Sequence, residues 1–177
     1  MDKPNFDYIL KYIIVGDGTV GKSSLLLRFT KSGFNQEYEM TLSVDFGVKN
    51  IKIRNKIYRI QIFDTAGQEN LRSIARMYYK NSICAIVVYD ITRRDTFNNV
   101  SDWIEECKNY SPKSIFMVLV GNKLDLAERR QISSDEGREL AEKNGMLFFE
   151  TSAKDGTNVE NITTFNSIFF LTLYQEF

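Results

Sequence analysis

Short apolar runs alternate with segments of helical periodicity along most of this 177-residue chain. The apolar runs cover residues 8–15, 83–89, 115–120 and 146–150. Runs of this length that are rich in β-branched residues are typical of buried strands. The helical segments begin after Lys22, at the predicted cap Asp95, at Ser133-x-x-Glu136 and at Thr157-x-x-Glu160. Strands that alternate with helices predict a parallel sheet with helices on both faces.

Two further strand-like runs, 44–53 and 56–63, are separated only by Arg54-Asn55. So short a connection predicts an antiparallel hairpin. The apolar positions of the first run change phase at Asn50, which predicts a β-bulge there. The predicted fold class is therefore α/β, with a six-stranded, mostly parallel sheet and one antiparallel edge strand. We expect residues 1–7 to form a flexible lead-in and 8–177 to form a single domain.

The segment GDGTVGKS, residues 16–23, lies between the first predicted strand and helix and fits the phosphate-loop pattern G-x-x-x-x-G-K-[ST]. Its glycines let main-chain N–H groups converge on phosphate oxygens. Lys22 adds a positive charge, and Ser23 adds a hydroxyl ligand for Mg²⁺. This predicts a P-loop NTPase-type fold, although the pattern leaves ATP or GTP open and a capped glycine turn is the alternative. The predicted nucleotide-binding residues of this loop are Gly16, Asp17, Gly18, Thr19, Val20, Gly21, Lys22, Ser23 and Ser24.

A second candidate loop, Asp64-Thr65-Ala66-Gly67-Gln68-Glu69, follows the hairpin. Asp64 can hold Mg²⁺ opposite Ser23, directly or through water. Gly67 leaves room for its N–H to approach a γ-phosphate, and Gln68 can orient an attacking water. A simple turn or helix cap is the alternative for Asp64-Thr65.

A third loop, Asn122-Lys123-x-Asp125, follows the strand at 115–120 and predicts recognition of a base. The Asp125 carboxylate can accept hydrogen bonds from N1–H and the N2 amino group of guanine, whereas adenine offers no such pair of donors. Lys123 can lie across the base plane. The fourth loop is Ser152-Ala153-Lys154, from which the Ala153 N–H can reach O6. Ligands of such sheets bind beyond the carboxyl ends of the strands, so we expect all four loops to meet there and to prefer guanine.

The composition of the chain excludes several kinds of partner and of catalytic chemistry. Twenty-three basic residues balance twenty-three acidic ones, so no overall field favours nucleic acid or an anionic membrane as a partner. The chain has no histidine, which excludes histidine general-base catalysis and histidine metal ligation. Cys84 and Cys107 fit neither a zinc pattern nor a disulfide framework, and we expect Cys84 in the core. With no signal peptide or spanning run visible, the expected location is cytoplasmic.

Together these four loops resemble those of the small GTPases, and the intervening segments are similar to the Rab family from about residue 8 to residue 165. The segments that carry the resemblance are LSVDF at 42–46, QIFDTAGQE at 61–69, MYYK at 77–80 and VYDITRRDTFN at 88–98. The last is especially similar to the Rab branch numbered two. The resemblance implies a GTP-binding molecular switch in vesicle trafficking that hydrolyses GTP to GDP slowly with Mg²⁺ as cofactor.

The resemblance also implies individual roles. Phe34 would pack against the guanine, Tyr38 would cover the phosphates, and Thr41 would close over Mg²⁺ and the γ-phosphate. Gln68 would position the water, so the implied catalytic residues are Gln68, Lys22 and Thr41. The implied metal ligands are Ser23, Thr41 and Asp64.

Partners are implied in the same way. Effectors, an exchange factor and a GTPase-activating protein would contact the switch loops 33–46 and 64–80. Phe46, Phe63 and Tyr78 occupy the positions of the family's hydrophobic triad, and ordinary core packing is the alternative role for them. Residues 168–174 are apolar around the whole predicted helix, so we expect them to contact a partner, a second domain or another copy. A well-buried final helix would explain the same pattern.

Some features depart from the family pattern. Thr19 stands where Rab proteins commonly have glycine or alanine, which keeps open a degenerate nucleotide-binding scaffold with little turnover as an alternative. A second alternative, an ATP-using P-loop kinase, is disfavoured by Asn122-Lys123-x-Asp125. The sequence ends at Phe177 without prenylatable cysteines. We therefore expect a truncated sequence, a piece of a longer protein or an unanchored variant, located on the cytosolic face of endomembranes only if an absent segment is lipidated.

Overall fold

The structure is a computed structural model that describes residues 6–31, 45–64 and 77–162. Its strands are β1 (Tyr8–Val15), β2 (Asp45–Ile53), β3 (Lys56–Asp64), β4 (Cys84–Asp90), β5 (Phe116–Asn122) and β6 (Leu147–Thr151). Its helices are α1 (Lys22–Lys31), α2 (Arg94–Asn98), α3 (Val100–Tyr110) and α4 (Ser134–Lys143), with a kinked 3₁₀ segment at Leu124–Arg129. The sheet order is β2-β3-β1-β4-β5-β6, and only the β2–β3 pair is antiparallel. The predicted fold class is therefore confirmed.

The sheet separates two apolar clusters because successive strand residues point to opposite faces. On β1, Tyr12 and Ile14 pack on the side of α1, whereas Ile13 and Val15 pack on the side of α3 and α4. All of β4 is buried, as a central strand between two layers of helices requires. Cys84 lies in the first cluster, as predicted.

The β2–β3 hairpin corrects one prediction. Its register runs without interruption from Asp45 opposite Asp64 to Ile53 opposite Lys56, so the bulge predicted at Asn50 is wrong. The apolar pattern changes phase for a different reason: Phe46 is exposed on one face, whereas Ile51 packs against the core on the other. The apolar side chains of β2 therefore lie on one face of the strand near its start and on the opposite face near its end.

The segment after β4 departs from the predicted single helix. Arg93 is the extended residue that precedes α2, and Asp95 lies inside the first turn instead of capping it. The Asp95 carboxylate pairs with the Arg93 guanidinium at 2.6 Å. A carboxylate in the first turn still favours the helix through its dipole. Helix α3 then begins separately, after Asn99.

The two predicted capping boxes have opposite outcomes. Ser133 and Glu136 form both hydrogen bonds of a capping box at the start of α4. At Thr157 the prediction is wrong, because Asn158 has a φ of 57° and cannot be the first residue of a helix. The helical turn begins at residue 159, and the Thr157 hydroxyl donates instead to Asp155.

Several predictions fall on 32–44, 65–76 and 163–177, which lie outside the described residues. They include most of both switch loops and the apolar segment 168–174. Among the helices that are described, none is long and apolar enough to cross a membrane.

Candidate functional site

The phosphate loop joins the carboxyl end of β1 to the start of α1, and two of its positions require glycine. Gly16 and Gly21 have φ values of 142° and 99°, which side chains rarely adopt. A Cβ on Gly16 would lie 2.2 Å from the Val88 carbonyl oxygen, and one on Gly21 would lie 2.3 Å from the side-chain nitrogen of Asn122. The loop is therefore held close to both β4 and β5.

Lys22 is the buried cation of this loop. Its ammonium donates hydrogen bonds to the carbonyl oxygens of Gly16 at 2.8 Å and Asp17 at 2.6 Å. Burial lowers the pKa of Lys22 to about 8, and the nearby carboxylates of Asp64 and Asp17 oppose part of that decrease. A buried ammonium beside a curved main chain is well suited to binding an anion. The negative charge of that anion would stabilise the protonated form of Lys22.

Ser23 and Asp64 come together because β1 and β3 are neighbours in the sheet. The Ser23 hydroxyl donates a hydrogen bond to Oδ2 of Asp64, whose side chain is fully buried at the end of β3. A hydroxyl and a carboxylate side by side are hard oxygen ligands suited to Mg²⁺. In the described ranges no group of three acidic, histidine or cysteine residues could hold a metal alone. This donor set fits an ion that also takes ligands from a phosphate and water.

Asn122 connects three loops from the carboxyl end of β5. Its side-chain nitrogen donates to the Val20 carbonyl at 2.9 Å, which ties the base loop to the phosphate loop. Its side-chain oxygen accepts hydrogen bonds from the Thr151 hydroxyl at 3.1 Å and from the Ala153 N–H at 3.2 Å. Asn122 is fully buried, so this network holds the loops after β1, β5 and β6 in fixed relation.

The other residues of the predicted base loop are also held in place. Asp125 is exposed, and its carboxylate accepts a hydrogen bond from the Ser152 hydroxyl at 2.7 Å. Lys123 has a φ of 70°, and its ammonium lies 2.6 Å from the buried carboxylate of Asp90. The sequence analysis did not predict Asp90 as a site residue, although its position at the carboxyl end of β4 could have indicated one.

The loop after β6 has a further partner in α1. Arg28 donates from Nε to the Ala153 carbonyl at 3.0 Å and also donates to the Lys154 carbonyl. The side chain of Lys154 is exposed. Sequence patterns did not reveal Arg28, because it lies 125 residues from its partner Ala153 and matches no local motif.

Three other hydrogen bonds to the phosphate loop were also missed. Asp17 accepts hydrogen bonds from the Asn99 amide and the Trp103 indole, both at 2.8 Å. Thr19 has a φ of 67°, and its hydroxyl accepts a hydrogen bond from Arg93 at 2.8 Å. Nothing in the local sequence around Trp103 indicated a partner for its indole N–H.

Phe46, Phe63 and Tyr78 form an aromatic cluster across β2, β3 and the turn at 77–79. The ring centroids of Phe46 and Phe63 are 5.9 Å apart, and those of Phe63 and Tyr78 are 5.1 Å apart. The Lys11 ammonium lies 4.9 Å from the Phe63 ring centroid. Phe63 and Tyr78 pack against the second apolar cluster, whereas Phe46 remains 59% exposed, so core packing accounts for two of the three rings.

The remaining predicted site residues divide into two groups. Gly18 and Ser24 belong to the described loop and helix, and a Cβ on Gly18 would meet no atom within 4 Å. The others lie outside the described residues and remain predictions: Phe34, Tyr38, Thr41, Gly67 and Gln68.

Comparison with known proteins agrees with this geometry. A sequence model of the Ras family matches residues 11–169. The Ras-related protein Rab-2B of Dictyostelium discoideum is 49% identical over 156 residues, which is 88% of this chain and 77% of that protein.

Proposed function

This chain belongs to the Rab family of small GTPases within the Ras family, and we propose that it acts as a switch in vesicle and membrane trafficking. It is a small GTP hydrolase whose site binds GTP and GDP in turn. In proteins of this kind, loss of the γ-phosphate releases the loops that contact it. The observation that best supports the proposal is the hydrogen bond from Asn122 to Val20, because one nucleotide must contact both the base loop and the phosphate loop.

The phosphate loop would bind the nucleotide phosphates. Its main-chain N–H groups and the buried ammonium of Lys22 would take up negative charge as it develops on the phosphate oxygens. Lys22 would exchange its two carbonyl partners for phosphate oxygens, which are stronger acceptors because they are charged. Preorganised positive groups of this kind account for much of the catalysis in phosphoryl transfer.

Mg²⁺ would be held by Ser23 and Asp64, with Thr41 as a further ligand in the GTP state. The contact between the Ser23 hydroxyl and the buried Asp64 carboxylate supports this assignment. The ion would supply charge neutralisation between the β- and γ-phosphates.

Guanine would be selected by Asp125, which can accept two hydrogen bonds from the base. The Ser152 hydroxyl orients this carboxylate from one side. Lys123 would lie across the base plane, and its salt bridge to Asp90 supports a fixed position for this side chain. An Ala153 N–H that reaches O6 would have to share its present bond to Asn122.

Hydrolysis would depend on Gln68 to position the attacking water and on Thr41 to close the site. An activating protein that supplies an arginine would accelerate turnover by about 10³- to 10⁵-fold. The open space beside Gly18 supports access for such a side chain. The exposed aromatic cluster at Phe46 would contact effectors and exchange factors.

One experiment tests the nucleotide chemistry. The purified chain with Mg²⁺ is offered GTP, GDP and ATP, and a single turnover of GTP is followed for the wild type and Gln68→Leu. We expect guanine preference in both proteins and slower hydrolysis in the variant. Equal hydrolysis would remove Gln68 from the mechanism. Tight guanine binding without turnover, even with an activating protein, would identify a scaffold instead.

A second experiment tests the trafficking role. Gln68→Leu is expressed in cells, and delivery of a secreted cargo is compared with cells that express the double variant Gln68→Leu, Phe46→Ala. We expect the single variant to disturb delivery and the double variant to disturb it less, because loss of the exposed ring weakens effector binding. Unchanged delivery with both proteins would contradict the trafficking role.

A further inference from the structure

Thr19 occupies an unfavourable backbone conformation in the phosphate loop. Its φ of 67° lies in the left-handed region, which β-branched residues rarely adopt. The side chain is exposed, so core packing does not impose this conformation. The contact that accompanies it is the hydrogen bond from the Arg93 guanidinium to the Thr19 hydroxyl, at 2.8 Å.

Arg93 is itself fixed from two directions. Its guanidinium pairs with Asp95 at 2.6 Å, and its main-chain N–H donates to the Asp90 carbonyl at 3.0 Å. The Asp90 side chain pairs in turn with Lys123 of the base loop. Arg93 therefore links Asp90, which pairs with the base loop, to Thr19, which is an exposed residue of the phosphate loop.

We propose that Arg93 is a positioning residue that holds the phosphate loop in its nucleotide-binding shape through Thr19 and thereby slows the release of bound GDP and GTP. This inference rests on the proposed binding of nucleotide to the phosphate loop. Arg93 acts through Thr19, and its role requires no contact with the nucleotide itself.

The physical basis is preorganisation. A loop that visits its binding shape only part of the time binds its ligand more weakly in proportion to that fraction. The bonds from Asn99 and Trp103 to Asp17 hold one side of the loop, and Arg93 holds the other side at Thr19. Without the Arg93 bond, Thr19 would relax towards negative φ and change the direction of the neighbouring N–H groups. Because the bond lies outside the γ-phosphate contacts, release of GDP and GTP should change equally.

The test measures the release rates of fluorescent GDP and of a fluorescent non-hydrolysable GTP analogue in Mg²⁺. Thr19→Val removes the hydroxyl but keeps the shape, and Arg93→Met removes the donor. Loss of one partly exposed, charge-assisted hydrogen bond predicts about three- to ten-fold faster release in each variant. The double variant should release no faster than either single variant, because both remove the same bond. Thr19→Ser keeps the hydroxyl, so its release should be slower than that of Thr19→Val.

The matched control is Arg94→Met in the same turn, because Arg94 pairs with Glu136 and makes no bond to the loop. Its release rates should equal those of the wild type even though its thermal unfolding midpoint falls. Wild-type release rates in Thr19→Val, or additive effects in the double variant, would overturn the proposal. If Arg93→Met does not fold, Thr19→Val decides alone because it preserves every charge. A wild-type protein that binds no guanine nucleotide would contradict the proposed function instead, and this outcome is seen before any variant is compared.

Discussion

The side-chain amide of Asn122 donates a hydrogen bond to the main-chain carbonyl of Val20, 102 residues earlier in the chain, at 2.9 Å. This bond joins the loop that would read the base to the loop that would bind the phosphates. It also explains the close approach of Gly21, where a Cβ would collide with the same amide nitrogen. The protein's own hydrogen bond therefore fixes the distance between these two loops.

Asn122→Ala should lower both stability and nucleotide affinity. The change removes three hydrogen bonds and leaves the Val20 carbonyl and the Ala153 N–H without this partner. A buried donor or acceptor that loses its hydrogen-bond partner costs about 1–3 kcal/mol. We therefore expect the free energy of unfolding to decrease by about 2–4 kcal/mol. Chemical denaturation measures this decrease. Asn109→Ala on the exposed surface of α3 is the control and should change stability little; a similarly small effect at Asn122 would contradict the network's role.

Asp125→Asn should change base preference from guanine towards xanthine. Guanine presents two donors to a carboxylate, whereas xanthine presents one donor and one acceptor, which match an amide. Competition between GDP and the xanthine diphosphate measures the change. Asp135→Asn on α4 makes the same charge change away from the site and should keep guanine preference. Unaltered selectivity in Asp125→Asn would place base recognition elsewhere.

Asp64→Asn should weaken the dependence of nucleotide binding on Mg²⁺. The amide removes the negative charge that lies beside the Ser23 hydroxyl, so we expect Mg²⁺ affinity to fall by about 10- to 100-fold. The measurement is the rate of GDP release over a series of Mg²⁺ concentrations. Superimposable curves for the wild type and the variant would exclude Asp64 from the metal site.

Nucleotide binding should take up protons above pH 8 through Lys22. Burial lowers the pKa of Lys22 to about 8, and bound phosphate should raise it because the anion stabilises the ammonium. The bound state then holds more protons than the free state, so affinity should fall as pH rises through 8. Titration calorimetry in two buffers of different ionisation enthalpy measures the uptake. Lys22→Arg should show weaker binding without this uptake, and equal uptake in both proteins would assign the proton to another group.

Glu136→Gln should reduce stability at neutral pH and much less at low pH. The Arg94 guanidinium and the Ser133 cap lower the pKa of Glu136 to about 2 from an ordinary value of 4.5. A depressed folded-state pKa stabilises the protein above the unfolded value, and that stabilisation is lost as pH falls from about 4.5 towards 2. Glutamine retains the capping geometry, so the comparison isolates the charge. Thermal unfolding from pH 7 to pH 3 checks this, and a constant difference would refute it.

Local sequence patterns were enough to predict much of the secondary structure and the candidate binding loops. The alternation of apolar runs and helical periodicity predicted all six strands, because buried strands and amphipathic helices have different repeats. Residues Gly16 to Ser23 and Asn122 to Asp125 indicated their chemistry through residue type and spacing alone. The carboxyl-end rule predicted that these loops lie at one edge of the sheet, whereas the order of the strands came only from the structure.

The tertiary structure decided the rest, because those features depend on partners that are distant in the chain. The direction of β2's side chains could not be read from its pattern: Phe46 faces the aromatic cluster, whereas Ile51 faces the core. The bonds from Trp103 to Asp17 and from Arg93 to Thr19 join residues more than seventy positions apart. Hydrophobic periodicity reports which face of an element is buried, but a hydrogen bond between two loops exists only after the sheet has brought them together.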